Sequence, residues 1–149
     1  MPAKREGAER ELPPAIAERL GPLLGRAHLA HRRLAEAELS SLGLRAKEFG
    51  ALSILADEGP LSQHRLGELM GVDRTTMVAV VDGLERAGFV ERERDPGDRR
   101  AYALRATAKG RRVLGRARRA VERAEARFLA RISEADQRRL KEMLRVLIS

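Results

Sequence analysis

Cysteine and tryptophan are both absent from this sequence, and aromatic side chains are confined to Phe49, Phe89, Phe128 and Tyr102. Without thiols there can be no disulfide, no thiolate-ligated zinc and no thiol-based redox switch. So few rings also disfavour single-strand binding by base stacking, which leaves duplex nucleic acid as the preferred polyanion. No apolar run is long enough to span a bilayer and no signal-peptide pattern occurs, so a cytoplasmic chain with no membrane partner is expected. A nucleophile paired with a base and a phosphate-cradling loop are missing too. That argues against an enzyme and gives no reason to expect a cofactor.

What the sequence has in excess is positive charge. Lys plus Arg number 30 against 22 acidic residues, a formal net charge of +8, and a polyanion is the most economical partner for it. Between Glu91 and Arg119, eleven basic residues stand against four acidic ones, an excess of seven. A merely solvated arginine-rich surface would have the same composition. Position beside a predicted hairpin is what favours binding. The length of 149 residues suits one domain with a core, not two.

Val72 to Arg105 carries three units end to end. Asp73 caps a helix that runs to Ala87 and is closed by Gly88, with Met77, Val80, Val81 and Leu84 facing inward. Arg74, Thr75, Thr76, Val78 and Ala79 are left on its outer, N-terminal surface. Short hydroxyls and an arginine there suit a DNA groove, where Thr meets phosphates or base edges and Val or Ala meets a thymine methyl. An ordinary amphipathic helix with a wet face is the plainer alternative. Two short arginine-bearing strands follow, joined by Asp95-Pro96-Gly97-Asp98, with Tyr102 and Leu104 alternating along the second. Arg94, Arg99 and Arg100 surround the tip, and Asp98 stands where its carboxylate could hold the Arg100 guanidinium for entry into a narrow minor groove.

The flanking segments complete the plan. Residues 1–12 read as a charged, flexible tail. From Pro13, the apolar positions Ile16, Leu20, Leu23, Ala27 and Leu34 predict one helix of about 25 residues, too long for a small core to cover. Gly43 breaks it. A core helix over Arg45–Asp57 places Phe49, Leu52, Leu55 and Ala56 inward. Ser62 caps a short helix with inner face Leu66, Leu69 and Met70, and Gly67 permits close approach of its neighbour. Joined by Gly71-Val72, this helix and the next form a helix-turn-helix. Thr107 caps a long basic helix reaching about Ile132. Ser133-Glu134-Ala135-Asp136 resembles a capping box with Asp in the acidic place. The last helix carries Leu140, Met143, Leu144, Leu147 and Ile148. An apolar chain end and a long first helix together predict a dimer.

The segments Leu84-Glu85-Arg86-Ala87-Gly88-Phe89-Val90-Glu91-Arg92, Asp95-Pro96-Gly97-Asp98-Arg99-Arg100 and Thr107-Ala108-Lys109-Gly110 resemble the MarR family of winged helix-turn-helix regulators, over nearly the whole chain. Two departures, Ala106 where Leu usually precedes the Thr and Gly67 where Ala is usual, are packing changes. The resemblance implies a mainly α fold with a small β wing and about six helices, one integrated domain. In it residues 44–106 form the DNA-binding lobe, while 13–40 and 107–149, from both chain ends, form a dimerisation region. It implies a homodimeric repressor on a pseudopalindromic double-stranded operator. Asp73, Arg74, Thr75, Thr76, Val78 and Ala79 would meet the major groove. Arg94, Asp98, Arg99 and Arg100 would form the wing contacts, and Ser62 and Gln63 would contact phosphates. Release by a small anionic or phenolic effector is also implied, in a pocket placed by predicted location at His28, His31 and Phe49.

Two other readings remain. His28 and His31, spaced i, i+3 on one helix, could make a metal-responsive regulator, although no further ligand is evident and no bound metal is expected. A helical protein-interaction module is the other, and it leaves the arginine-rich wing unexplained.

Overall fold

Proline sets where the first helices start and stop. In the computed structural model, which describes residues 12–95 and 97–149, Pro14 opens a single turn, α1 (Pro14–Ala17), and a second helix, α2, spans Leu20–Leu39. The uninterrupted helix expected here is therefore split. Pro22 is the reason: within a continuous helix its ring would collide with the Glu18 carbonyl, and it has no N–H to give. Arg19 turns extended (φ −119°, ψ 131°), so Pro22 falls in a first turn, where no N–H is needed. The expected tail lies outside the described residues except for Leu12.

A 3-10 turn over Ser40–Leu42 ends at Gly43, whose φ of 70° needs a residue without Cβ. Helix α3 (Ala46–Glu58) starts where the Glu48 carboxylate accepts from the Arg45 N–H at 2.9 Å and Glu36 accepts from the Ala46 N–H at 3.2 Å. Leu52 and Leu55 are fully buried, with Phe49 and Ala56 packed at the edge of the same cluster.

Ser62 caps α4 (Gln63–Met70) by accepting from the Arg65 N–H at 3.1 Å. Its inner face differs from the expected one: Leu66 and Gly67 are buried, and Leu69 is 46% exposed. At Gly67 a Cβ would stand 3.5 Å from Met77 Cγ. That is an ordinary contact distance, so the close approach of the next helix does not require a glycine there, contrary to expectation. Gly71 turns left-handed (φ 63°), and Asp73 starts α5 (Arg74–Arg86). At its end the Gly88 N–H donates to the Glu85 carbonyl and the Phe89 N–H to the Leu84 carbonyl, both at 2.9 Å. With Gly88 at φ 72°, this is a Schellman termination.

Strands β1 (Val90–Arg94) and β2 (Tyr102–Ala106) pair antiparallel in the register Val90 with Ala106 through Arg94 with Tyr102. Leu104 is fully buried, whereas Tyr102, two residues before it, is 53% exposed. Leu61 adds a further rung, exchanging backbone hydrogen bonds with Leu104 at 2.7 and 3.1 Å.

Thr107 caps α6 (Ala108–Leu129), which stops short of Ile132, and Ser133 caps α7 (Glu134–Ile148). The Ser133 Oγ accepts from the Asp136 N–H at 3.1 Å and donates to the Asp136 carboxylate at 2.8 Å. This is the Ser half of a capping box, with Asp136 bonded to the cap hydroxyl in place of the cap N–H. Helix α7 buries no residue. The described residues thus form seven α-helices and one two-stranded sheet, one helix more than expected because of the break before Pro22. Leu39, Leu52, Leu55, Leu66, Met77, Leu84 and Leu104 form the centre of the core. Among the described residues no helix is long and apolar enough to cross a membrane.

Candidate nucleic-acid interface

The outer face of α5 is built from its N-terminus. Arg74, Thr75, Val78 and Ala79 are exposed opposite the buried Met77, Val80 and Val81, while Thr76 is half-buried on the flank. Both oxygens of the Asp73 carboxylate are taken by Thr76, one by its N–H at 2.9 Å and the other by its hydroxyl at 2.7 Å. These two bonds, the hydroxyl's the larger, hold the Asp73 carboxyl below the usual carboxylate range. A carboxylate has no proton to give, so the Thr76 hydroxyl donates inward and presents only lone pairs outward. Thr75 has no such commitment among the described residues.

At the wing, Asp95 Oδ1 accepts from the Gly97 N–H at 2.7 Å, and the Asp95 N–H donates to the Ala101 carbonyl at 3.0 Å. Pro96 of the expected turn lies outside the described residues. Asp98 was expected to hold the Arg100 guanidinium; instead its Oδ1 accepts from the Arg100 backbone N–H at 2.9 Å. Two residues is the reach of an Asx turn, and the backbone donor lies closer than the long side chain's head. Arg94 also braces the loop, donating to the Arg99 carbonyl at 3.3 Å. The guanidinium groups of Arg74, Arg99 and Arg100 have no partner among the described residues.

Of the other basic side chains of this region several are consumed internally, while Arg112, Arg116 and Arg119 on α6 are exposed and have no partner among the described residues. Arg105 pairs with Glu91 at 2.6 Å and with Glu93 at 2.9 Å, Arg111 donates to the Ala56 carbonyl at 3.1 Å, and Arg118 pairs with Asp57 at 2.7 Å. The charge excess read from the sequence is therefore divided. Part of it holds the fold and part is left free. Ser62 and Gln63 stand at the start of α4. The Ser62 hydroxyl accepts from Arg65 and keeps its own proton uncommitted among the described residues. Gln63 reaches Arg92 on β1 at 3.2 Å.

The segment Thr107-Ala108-Lys109-Gly110 ties this lobe together, a role that its sequence pattern alone does not disclose. The Thr107 hydroxyl donates to the Gly88 carbonyl at 2.7 Å, Lys109 Nζ donates to the Ala87 carbonyl at 2.8 Å, and the Thr107 N–H donates to the Phe89 carbonyl at 3.0 Å. Three successive carbonyls beyond α5 are so satisfied by the start of α6. Lys109 Nζ also lies 5.4 Å from the centre of the Phe89 ring, within cation–π range.

His28, His31 and Phe49 all line one cavity of about 520 Å³ between α2, α3 and the α4–α5 turn. Sequence reasoning missed Arg32, Lys47, Met70 and Val72 on the same wall; they come from α2, α3, the end of α4 and the turn after it, and periodicity along each element does not say which elements meet. Arg32 and Lys47 also line the groove that holds Thr75, Thr76 and Ala79. The metal reading is not supported. Among the described residues no three His, Asp or Glu side chains are grouped for a metal, and the His31 ring packs edge-on against Phe128 with centroids 5.5 Å apart.

A family model described as the MarR family matches residues 44–102. A helix-turn-helix-type transcriptional repressor of Mycobacterium bovis is 38% identical over 128 residues, 86% of this chain and 92% of that protein. The structure of the transcriptional repressor CouR bound to a 23-mer DNA duplex aligns at a TM-score of 0.85 with 30% identity, covering 93% of this chain and 99% of that one. The PcaV regulator of Streptomyces coelicolor in complex with its natural ligand aligns at 0.77, again with 30% identity, covering 89% of this chain and 94% of that one.

Proposed function

The chain belongs to the MarR family of winged helix-turn-helix transcriptional regulators, which makes it a DNA-binding protein and not an enzyme, and from that premise we propose that it is a homodimeric, effector-released repressor. Each subunit places the Asp73 to Ala79 end of α5 in a major groove of a pseudopalindromic operator. Arg99 and Arg100 lie against the minor groove beside it, braced by Arg94 and Asp98, with Ser62 and Gln63 on phosphates. The observation that carries this reading is where the unpartnered arginines of α5 and the wing lie, at the start of the one and the tip of the other. Arg105, Arg111 and Arg118 are spent on internal partners, whereas Arg74, Arg99 and Arg100 are left without one among the described residues. A phosphate or base edge is the partner that such guanidinium groups fit.

Residues 13–40 and 107–149 supply the dimerisation region and residues 44–106 the DNA-binding lobe. Leu20, Leu23, Leu24 and Leu29 of α2 and Met143, Val146, Leu147 and Ile148 of α7 are exposed in the single chain. Such a display of apolar surface from both chain ends is what a second copy would cover. The effector is a small anionic or phenolic molecule in the His28, His31 and Phe49 cavity. Arg32 and Lys47 attract an anion there, Phe49 supplies an aromatic wall, and the PcaV structure holds its own natural ligand.

The test measures binding to the duplex upstream of the adjacent divergent gene, against a scrambled duplex, with and without a panel of aromatic carboxylates and phenols. Equal affinity for both duplexes would sink the operator reading. Tight, selective binding that no compound weakens, with no compound shifting the melting temperature, would sink the effector. Sedimentation of the wild type and of Leu147→Asp decides the dimer: a wild type that runs as a monomer rules it out.

A further inference from the structure

Arg92 belongs to β1, yet its donors reach two other elements. Its Nε lies 3.1 Å from each carboxylate oxygen of Glu85 near the end of α5, and a terminal nitrogen donates to Gln63 Oε1 at the start of α4, 3.2 Å away. A guanidinium offers only donors, so the carboxamide must turn its oxygen toward Arg92. Its NH2 is left as the free polar end. Gln63 also lines the groove between α4 and α5, together with His64 and Arg74. The carboxylate on that wall, Glu68, is paired with Arg65 at 3.1 Å.

A phosphate oxygen only accepts hydrogen bonds, so a glutamine serves it through the NH2 and not through the carbonyl. An unheld carboxamide presents either end. We propose that Arg92 is a positioning residue for DNA binding: by holding Oε1 of Gln63 it presents the NH2 of that side chain to a backbone phosphate. The inference rests on the DNA-contact reading above and adds to it a residue that does not itself touch DNA. Through Glu85, the same guanidinium fixes the wing against the end of α5, so one side chain sets the relative register of α4, α5 and the wing.

A double-mutant cycle on operator and scrambled duplexes tests it, with melting temperature followed throughout. Gln63→Ala is expected to weaken binding to both duplexes alike, by about threefold to tenfold, the usual net worth of one hydrogen bond. Arg92→Lys keeps a cation beside Glu85 but loses the second fork donor, and a similar loss is expected. The double variant should then be no weaker than either single one. Gln63→Glu, a surface change that keeps the partner of Arg92 but removes the donor, should bind worse than Gln63→Ala. Additive losses in the cycle, an Arg92→Lys protein that binds like wild type, or a Gln63→Glu protein that binds like wild type would each overturn the inference. A wild type that shows no operator preference would fail the functional reading instead, so the two failures are distinguishable.

Discussion

Gly110 lies against the carbonyl of Phe89, in the space that a methyl group on its α-carbon would occupy. Leu52 closes the same space from the core side, with its Cδ1 3.2 Å from that position. Any side chain at Gly110 must therefore push backbone against backbone. Gly110→Ala is expected to destabilise the fold by about 2–4 kcal/mol, the range of overpacked or strained sites, as read by urea unfolding. Gly67 is the contrasting case. A Cβ there would stand 3.5 Å from Met77 Cγ and 3.6 Å from the Val72 carbonyl, ordinary contact distances. Gly67→Ala in a helix is expected to be neutral or to stabilise by up to about 1 kcal/mol. Equal losses for both variants would contradict this packing account.

Arg100 and Asp98 are separable. Arg100→Ala should weaken operator binding by about 1–3 kcal/mol and reduce the salt slope by about one, with the melting temperature unchanged. Since Asp98 accepts from a backbone N–H, Asp98→Asn keeps an acceptor and should bind close to wild type, while Asp98→Ala should not. A loss in Asp98→Asn as large as in Asp98→Ala would mean that its charge, acting on the guanidinium, is what matters.

Thr76 has given its hydroxyl proton to Asp73, so outward it is an acceptor. In the major groove acceptors meet amino groups, N6 of adenine or N4 of cytosine. Thr76→Ala is expected to relax base preference at one position of each half-site, and at that position the wild type should prefer an amino-bearing base. Selection from a randomised duplex library reads this directly. Unchanged preference would leave Thr76 as a cap partner alone.

The Asp73 carboxyl is held below its ordinary value in the folded chain, by the Thr76 hydroxyl first and the Thr76 N–H second. A folded pKa below the unfolded one gives stability that is present above the unfolded value, about 3.9. It is lost as pH falls through the folded pKa. Melting temperature followed from neutral pH into the acid range should therefore fall more steeply below pH of about 4 in the wild type than in Asp73→Asn, which caps without titrating. Parallel curves would show that the carboxylate contributes nothing through its charge.

How much of this was legible in the sequence depends on how local each cause was. Ser62, Asp73, Thr107 and Ser133 cap helices as read, because a cap needs only its own residue and the one three positions on. The interior Met77, Val80, Val81 and Leu84 follow from helical period alone, and all are buried. What could not be read required two distant segments to meet. Leu61 pairing with Leu104, Arg92 reaching Gln63 and Lys109 covering the Ala87 carbonyl depend on how the chain returns on itself. Leu69 shows the limit of periodicity: a hydrophobic residue at helical spacing from the buried Leu66 is nevertheless 46% exposed. The break before Pro22 was local and was missed, since apolar spacing continued through a residue whose backbone could not.

The three hydrogen bonds from Thr107 and Lys109 to carbonyls 87, 88 and 89 join α5 to α6 without a flexible link. Mechanically the pair is one bent beam. Its long arm, α6, has 22 residues, about 33 Å at the rise of an α-helix. A tilt of about 5° between the arms of a dimer would sweep the far end of such a beam through about 3 Å. That is close to the rise of one base pair, about 3.4 Å. In a dimer seated on an operator, a joint this rigid would make the protein a caliper, for which a small angular error at one end is a missed base pair at the other.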